Sequence, residues 1–578
     1  MKFFIQFIKD YKVKMIITLI LLVGQIGGTL LIPKLVATMI DNGILKSDFN
    51  VVINVGISML IFAILTTIIS TIGSWVTSDL GSLFGREMRT KLFKKTQELS
   101  LQQFDSFGIS SMITRSTSDI TNLQQTLGMI LQLVLPAPII LIVSIAMTAS
   151  VNQTLALIQF SFIILLFFLS IYVIRKSNHL SSTIQLRLDR INKVVRESIT
   201  GVRVIRAFGN ENYEKNRCYD SYTSYANNMI KLNRLYAIFY PAVWLMMGAI
   251  MVVVLFVGGS YSLIGAMEIG EISAVIEYAI LSMGYCIMAV STLTTLPKAQ
   301  ACLNRLEEVL DLNPSITDLS SSQTTSKNTV APVVEFNHVT FSYDGAEQSV
   351  INDLSFTMNP NETTAIIGST GSGKSTIVDL LLRIHEHQTG TINLNGANTK
   401  IMTQEELRNQ IGYVPQKAFL FSGTIRSNLL LANPTASEDE LWQALAIAQA
   451  KDFVSSLDDG LDSLVSQGGS NFSGGQRQRL SIARALVKKT NLFIFDDCFS
   501  ALDVKTDKVL RQQLHLHVHE QAKLIIAQRV SSILDADQIL VLDQGRLVGK
   551  GKHHELLESC AIYRAIVDSQ INTKEVTV

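Results

Sequence analysis

Six long apolar runs constrain this chain more than any other feature: residues 14–34, 51–77, 128–149, 154–174, 238–262 and 272–295. A helix crosses the hydrocarbon core of a bilayer with about 20 mostly apolar residues. One such run can be a buried helix of a large soluble protein. Six in succession, with no charge-rich amphipathic helices of similar size among them, predict six membrane crossings. Composition agrees: mean hydropathy is +0.30, and only 17% of residues are charged. The charges balance, 49 Lys and Arg against 48 Asp and Glu, so nothing marks the chain for nucleic acid.

Lys and Arg in the connecting segments predict orientation. Lys2, Lys9, Lys12 and Lys14 precede or open the first run, and segment 78–127 holds Arg86, Arg89, Lys91, Lys94, Lys95 and Arg115. Segment 175–237 is richer still, while the turns near 150–153 and 263–271 have no Lys or Arg and that near 41–50 has only Lys46. The basic segments and both termini are therefore expected in the cytoplasm. The start lacks a small-residue cleavage site behind a short apolar core, so it does not read as a cleavable signal. Phe3, Phe4, Phe7, Ile8 and Tyr11, at helical spacing beside lysines, suggest a short helix on the inner membrane surface. Cys218, Cys286, Cys302, Cys498 and Cys560 show neither metal-ligand spacing nor a paired framework, which suits a reducing compartment or lipid.

After Arg305 the composition changes. Residues 313–332 are polar and rich in Ser and Thr, as a linker is. From Val333 onward short β-rich runs (364–367, 492–496, 524–527, 539–542) alternate with helical stretches, the pattern of a largely parallel sheet. The expected architecture is a six-helix α transmembrane domain over 1–312, a linker over 313–332, and an α/β P-loop nucleotide-binding domain over 333–578.

Within that second domain, Gly368, Ser369, Thr370, Gly371, Ser372, Gly373, Lys374 and Ser375 form the phosphate-loop pattern between an apolar strand and a helix opening at Thr376. Glycines let backbone N–H groups wrap phosphates, and a helix N-terminus adds a favourable dipole. Lys374 is placed to reach the β- and γ-phosphates and Ser375 to coordinate Mg²⁺. Asp496 ends an apolar strand with a carboxylate suited to a hard cation, and Gln416 offers a neutral oxygen to the same ion. Tyr343 is a candidate to stack on the base.

These motifs and a further one, Phe472, Ser473, Gly474, Gly475 and Gln476, together resemble the half-transporters of the ATP-binding cassette (ABC) exporters of type IV fold. The resemblance spans the whole chain. It implies ATP and Mg²⁺ as ligands, and a D-loop at Ser500, Ala501, Leu502 and Asp503. It also implies that Ser473, Gly474, Gly475 and Gln476 act on the nucleotide of a second half-transporter. Coupling helices are implied in the intracellular loops, at Gly108 to Asp119 and at Glu197 to Glu211. The second is expected to dock on the partner's cassette.

Two positions depart from the family pattern. Asp497 stands where a glutamate follows the Walker B aspartate, and Gln528 where a histidine is usual. Aspartate is one methylene short of the attacking water, and glutamine carries no charge and shuttles no proton. Phe472 replaces the usual leucine outside the phosphate contacts, and Gln467 replaces a frequent glutamate. The pattern resembles the degenerate-site subunits of heterodimeric multidrug exporters of Gram-positive bacteria (LmrC/EfrC-like). The expected function is ATP-driven efflux of hydrophobic or cationic small molecules across the bacterial plasma membrane, with catalysis mainly at the partner's site. Glu277, inside the sixth crossing, is a candidate cavity residue. Met and Phe side chains such as Met246, Met283, Phe162 and Phe167 suit varied apolar cargo. Export of lipid or peptide, a slow homodimer and a regulator that transports nothing are the alternatives. With no peptidase-like segment before the first crossing, a bacteriocin-processing exporter is not expected.

Overall fold

The computed structural model describes residues 2–318 and 332–575, with side chains placed from 6 to 318 and from 332 to 570. Most of the expected linker therefore lies outside the described residues. The chain divides into two compact units. One comprises Met1–Glu98 and Phe107–Asn313, the other Leu99–Ser106 and Pro314–Val578.

In the first unit a short helix α1 (Lys2–Asp10) precedes α2 (Lys12–Ile44). Then come α3 (Phe49–Glu98) and, after the short α4 (Leu101–Phe107) that lies almost wholly in the second unit, α5 (Ile109–Val151), α6 (Gln153–Thr200), the short α7 (Val202–Ala207), α8 (Glu211–Leu263) and α9 (Ile269–Leu310). Each of the six long helices contains one expected crossing. Several run on past the apolar stretch into basic sequence, as α3, α6 and α8 do with 50, 48 and 53 residues. None of the residues in the most apolar window of α3 is buried, which is what a lipid-facing surface requires. In α1, Phe7 is not free to enter lipid: it is buried and packs edge-on against Phe84 at 5.2 Å.

Buried polar contacts tie the helices of this unit together. Gln159 on α6 is completely buried with Ser144, Thr148 and Ser282. The Thr148 hydroxyl donates to its Oε1 at 2.6 Å, and its Nε2 donates to Ser144 and Ser282, each at 3.3 Å. One amide thus joins α5, α6 and α9 where an unpaired polar group would be costly. At another junction a π turn at Met39–Ile44 places Asp41 to accept the Gly270 N–H at 2.6 Å, at the start of α9. Any larger residue at 270 would collide with the Ala37 backbone. A second π turn, Arg115–Asp119, turns both charges toward the end of α9. Arg305 grips Asp119 with two bonds of 2.8 and 2.6 Å, and Arg115 reaches Glu308 at 2.7 Å while lying over the Phe107 ring.

The second unit is an α/β domain. Its strands are β1 (Val334–Phe341), β2 (Ile351–Met358), β3 (Thr363–Gly368), β4 (Thr389–Leu394), β5 (Ala397–Asn398) and β6 (Ile411–Val414). They continue with β7 (Gly423–Thr424), β8 (Leu464–Val465), β9 (Leu492–Asp496), β10 (Ala522–Ile526), β11 (Gln538–Asp543) and β12 (Arg546–Gly551). A six-stranded sheet runs β12–β11–β3–β10–β9–β6, parallel except for β12. A four-stranded antiparallel sheet runs β2–β1–β4–β5. Strands buried on both faces read as apolar runs rather than alternating ones, as residues 492–495 of β9 and 524–526 of β10 do. Phe336 and Phe356 stack at 4.6 Å in the core between the sheets, and burying such a ring contributes about 1.5–3 kcal/mol.

The segment around α4 belongs to this second unit. Gln102 donates to Asp344 at 2.9 Å, and Ser100 accepts a bond from the Ser315 hydroxyl at 2.9 Å.

Candidate functional site

Parallel pairing decides where the chemistry gathers. β3, β10 and β9 are neighbours in register, so their C-terminal ends line up along one edge of the sheet. The phosphate loop follows β3, Asp496 ends β9, and Gln528 follows β10. Ligands of open α/β sheets bind at this edge.

The phosphate loop is shaped by its glycines. Gly371 and Gly373 have φ of 84° and 98°, a region that costs side-chain-bearing residues. A Cβ at Gly373 would also lie 2.6 Å from the Ile351 side chain, and one at Gly368 would collide with the Leu542 carbonyl. Helix α10 (Lys374–Leu381) starts directly after the loop, leaving its first N–H groups free for an anion. Lys374 Nζ is folded back on the loop, donating to the Gly368 and Ser369 carbonyls at 2.9 and 2.8 Å. Burial holds its amine below the usual lysine range, against the pull of Asp497 and Asp496. The buried Ser372 hydroxyl has no partner among the described residues. A curled lysine, an orphaned hydroxyl and an open helix start fit a phosphate group. Ser375 is exposed at the same helix start.

Tyr343 touches the loop's helix directly. Its hydroxyl lies 3.2 Å from Thr376 Oγ1, and its ring packs edge-on against Phe341 and His385. Thr376 is buried beneath it.

Asp496 and Asp497 are both buried. Burial, then the Asp497 charge, pushes the Asp496 carboxyl up to about 6, with Lys374 opposing. Asp379, on α10, is likewise raised to about 6 by burial and by Asp496. Sequence reasoning missed Asp379, and a lone carboxylate among the apolar residues Ile377, Val378, Leu380 and Leu381 was the available signal. Oxygen donors crowded into low dielectric suit a divalent cation, which would relieve their repulsion. Asp497 adopts a left-handed backbone, φ 44°, with its N–H bonded to the Ile526 carbonyl at 2.9 Å. Its Oδ2 accepts a bond from Gln416 Nε2 at 3.2 Å, which leaves the amide oxygen of Gln416 free.

Gln528 is exposed. Its backbone is held by a residue that no motif announces: Gln570, on the C-terminal helix (Ala561–Glu575), donates to the Gln528 carbonyl at 2.8 Å. The same amide accepts the Val530 N–H, also at 2.8 Å.

The Ser473 to Gln476 motif lies at the start of helix α11 (Gly474–Leu486), where Ser473 and Gln476 form a reciprocal capping box. Phe472 is buried beside Phe453 and anchors the turn. Nothing lies within 4 Å of a Cβ built at Gly474, so its own fold does not demand glycine there; an approaching ligand would. Asp503 caps helix α12 (Val504–His517) by accepting the Thr506 N–H at 3.0 Å. Glu277 is exposed on α9 in this single chain, with no partner among the described residues.

Residues 15–285 match the ABC transporter transmembrane region family, and residues 351–500 match the ABC transporter family. An ABC transporter ATP-binding protein of Mycobacterium tuberculosis is 33% identical over 568 residues, covering 98% of this chain and 97% of its own. YfiB of Bacillus subtilis is also 33% identical, covering 98% of each chain. A Staphylococcus aureus protein bearing the name of a multidrug export ATP-binding/permease protein is 29% identical, over 98% of this chain and 99% of that one. Among solved structures, a bacterial Atm1-family ABC exporter with ATP bound superposes with a TM-score of 0.81 at 24% identity, over 97% of this chain and 98% of that one. With six apolar helices leading into a phosphate-loop cassette, and near-complete overlap at 33% identity, the chain belongs to the ABC transporters, with transmembrane region and cassette in one polypeptide and the fold of an Atm1-family exporter.

Proposed function

We propose that this chain is the degenerate-site subunit of a heterodimeric multidrug efflux transporter. In this reading it lies in the bacterial plasma membrane, with its termini and cassette in the cytoplasm. The observation that carries the reading is Asp497. It has the shorter side chain at the water-activating position, and its carboxylate is tied to Gln416 rather than free. A general base must first be within hydrogen-bond reach of the proton it takes. Gln528 then supplies a neutral amide where charge is expected.

Lys374, the loop N–H groups and the Ser372 hydroxyl bind and orient the phosphates of ATP. Ser375, Asp496 and the amide oxygen of Gln416 hold Mg²⁺, which neutralises phosphate charge when bound. The start of α11, with Ser473, Gly474 and Gly475, closes on nucleotide held by the second half-transporter. That site carries most hydrolysis, provided the second subunit has glutamate and histidine at the positions of Asp497 and Gln528. Membrane lipid surrounds the six crossings. Glu277, unpaired in an apolar helix, suits a cationic or hydrophobic substrate in a cavity shared with the second subunit. The name of the Staphylococcus aureus relative favours drugs as that cargo.

The test is paired mutagenesis in the co-purified complex. Asp497→Asn leaves ATP turnover within about twofold, whereas glutamate to glutamine in the second subunit lowers it by about 10²-fold or more. Equal damage from both substitutions overturns the asymmetric reading.

A further inference from the structure

A cavity of about 710 Å³ opens in the cassette on the side of the sheet away from the phosphate loop. Thr363, which begins β3, and Lys523, its register partner on β10, both line it. The phosphate loop follows the other end of β3, at Gly368. A nucleotide held by that loop therefore does not fill this space. The volume falls in the usual range for a small-molecule site, about 300–1,000 Å³.

The lining has two characters. Ile525, Leu516 and Leu534 give an apolar wall, while Lys508, Arg511 and Lys523 share the lining with a single carboxylate, Asp535. Arg511 is already paired with Asp507 at 3.2 Å. Asp537, close to Lys523, is engaged by the Thr363 N–H at 2.9 Å. Lys523 is only 5% exposed, and its ammonium donates to one acceptor among the described residues, the Val518 carbonyl at 2.6 Å. A buried ammonium with one carbonyl partner is under-compensated, since burying charge is costly unless it is paired. Burial accordingly holds Lys523 below the usual lysine range, with Asp537 opposing.

We propose that this cavity binds a small organic anion, its acidic group on Lys523 and Lys508 and its planar apolar body against Ile525, Leu516 and Leu534. The occupant lies between α12, which begins at Asp503, and β10, which leads to Gln528. It therefore touches both elements that flank the hydrolytic edge without entering it.

The probe is naphthalene-2-sulfonate, titrated against the full chain in lipid nanodiscs and followed by hydrogen–deuterium exchange. Binding is expected with Kd about 1 mM, the affinity usual for a ligand of this size. Protection falls on residues 508–516 and 523–536 and leaves the phosphate loop unchanged. The uncharged naphthalene-2-sulfonamide binds about tenfold more weakly, as does naphthalene-2-sulfonate to Lys523→Met. Lys508→Gln, at an exposed position, weakens binding by a smaller factor and serves if Lys523→Met does not fold. Absence of protection at about ten times the expected Kd overturns the proposal. So does equal affinity for the sulfonamide, or protection confined to the membrane helices.

Discussion

On the proposed function, Asp497 redirects the site by one methylene. Its backbone is left-handed and pinned to β10, so its short side chain meets Gln416 instead of projecting past it. Restoring reach and charge together, with Asp497→Glu and Gln528→His, is expected to raise hydrolysis at this chain's own phosphate loop by about 10²-fold. The measurement is ATP turnover in a complex whose second subunit lacks its catalytic glutamate. Gln570 acts on the same loop from behind. Gln570→Ala removes both of its bonds to the backbone at Gln528 and Val530, at a cost of about 1–2 kcal/mol. Exchange at residues 527–531 then quickens while ATP binding is unchanged. Asp497 and Gln528 were legible in the sequence because motif spacing addresses them. Gln570 was not, because its position depends on a C-terminal helix folding back to the sheet, which no local pattern encodes.

At the scale of elements, the crossings were readable because about 20 apolar residues leave a helix few other places to go. Their interior joints were not. Gln159 reads as one polar residue in an apolar run, and only the fold shows it tying α5, α6 and α9. Gln159→Leu is expected to cost about 1 kcal/mol, since interhelical hydrogen bonds in membranes are worth about that much. Thermal unfolding of the detergent-solubilised chain measures it. The turn after α10 carries a different dependence. Burial holds His385 and His387 below the ordinary imidazole value of 6.5. They stay neutral in the folded cassette while the unfolded chain takes up protons. Their contribution is whole above 6.5 and is lost as pH falls through and below it. Asp496 and Asp379, raised to about 6, oppose this by taking up protons in the folded cassette, so the histidine contribution is read as a difference: between about pH 7.5 and about pH 5.5 His387→Gln should lose less stability than the parent chain. A drop of the same size in that variant removes His387 from the account.

For the whole molecule, the sequence specified a transmembrane half and a cassette because hydropathy and the phosphate-loop motif are both strong local signals. It could not show which acid groups would be crowded or which helix ends left open, since those follow from parallel pairing of β3, β10 and β9. On the proposed function, the phosphate loop with its shortened acid at Asp497 binds ATP, while the helix start at Ser473 and Gly474 completes another subunit's site. The most direct measurement is steady-state ATP turnover in nanodiscs, for the chain alone and co-purified with a second half-transporter carrying the catalytic glutamate. The account predicts slow turnover alone, insensitive to Asp497→Asn, and fast turnover in the pair that collapses with Ser473→Ala or Gly474→Asp in this chain. Fast hydrolysis by the isolated chain, abolished by Asp497→Asn, would contradict it.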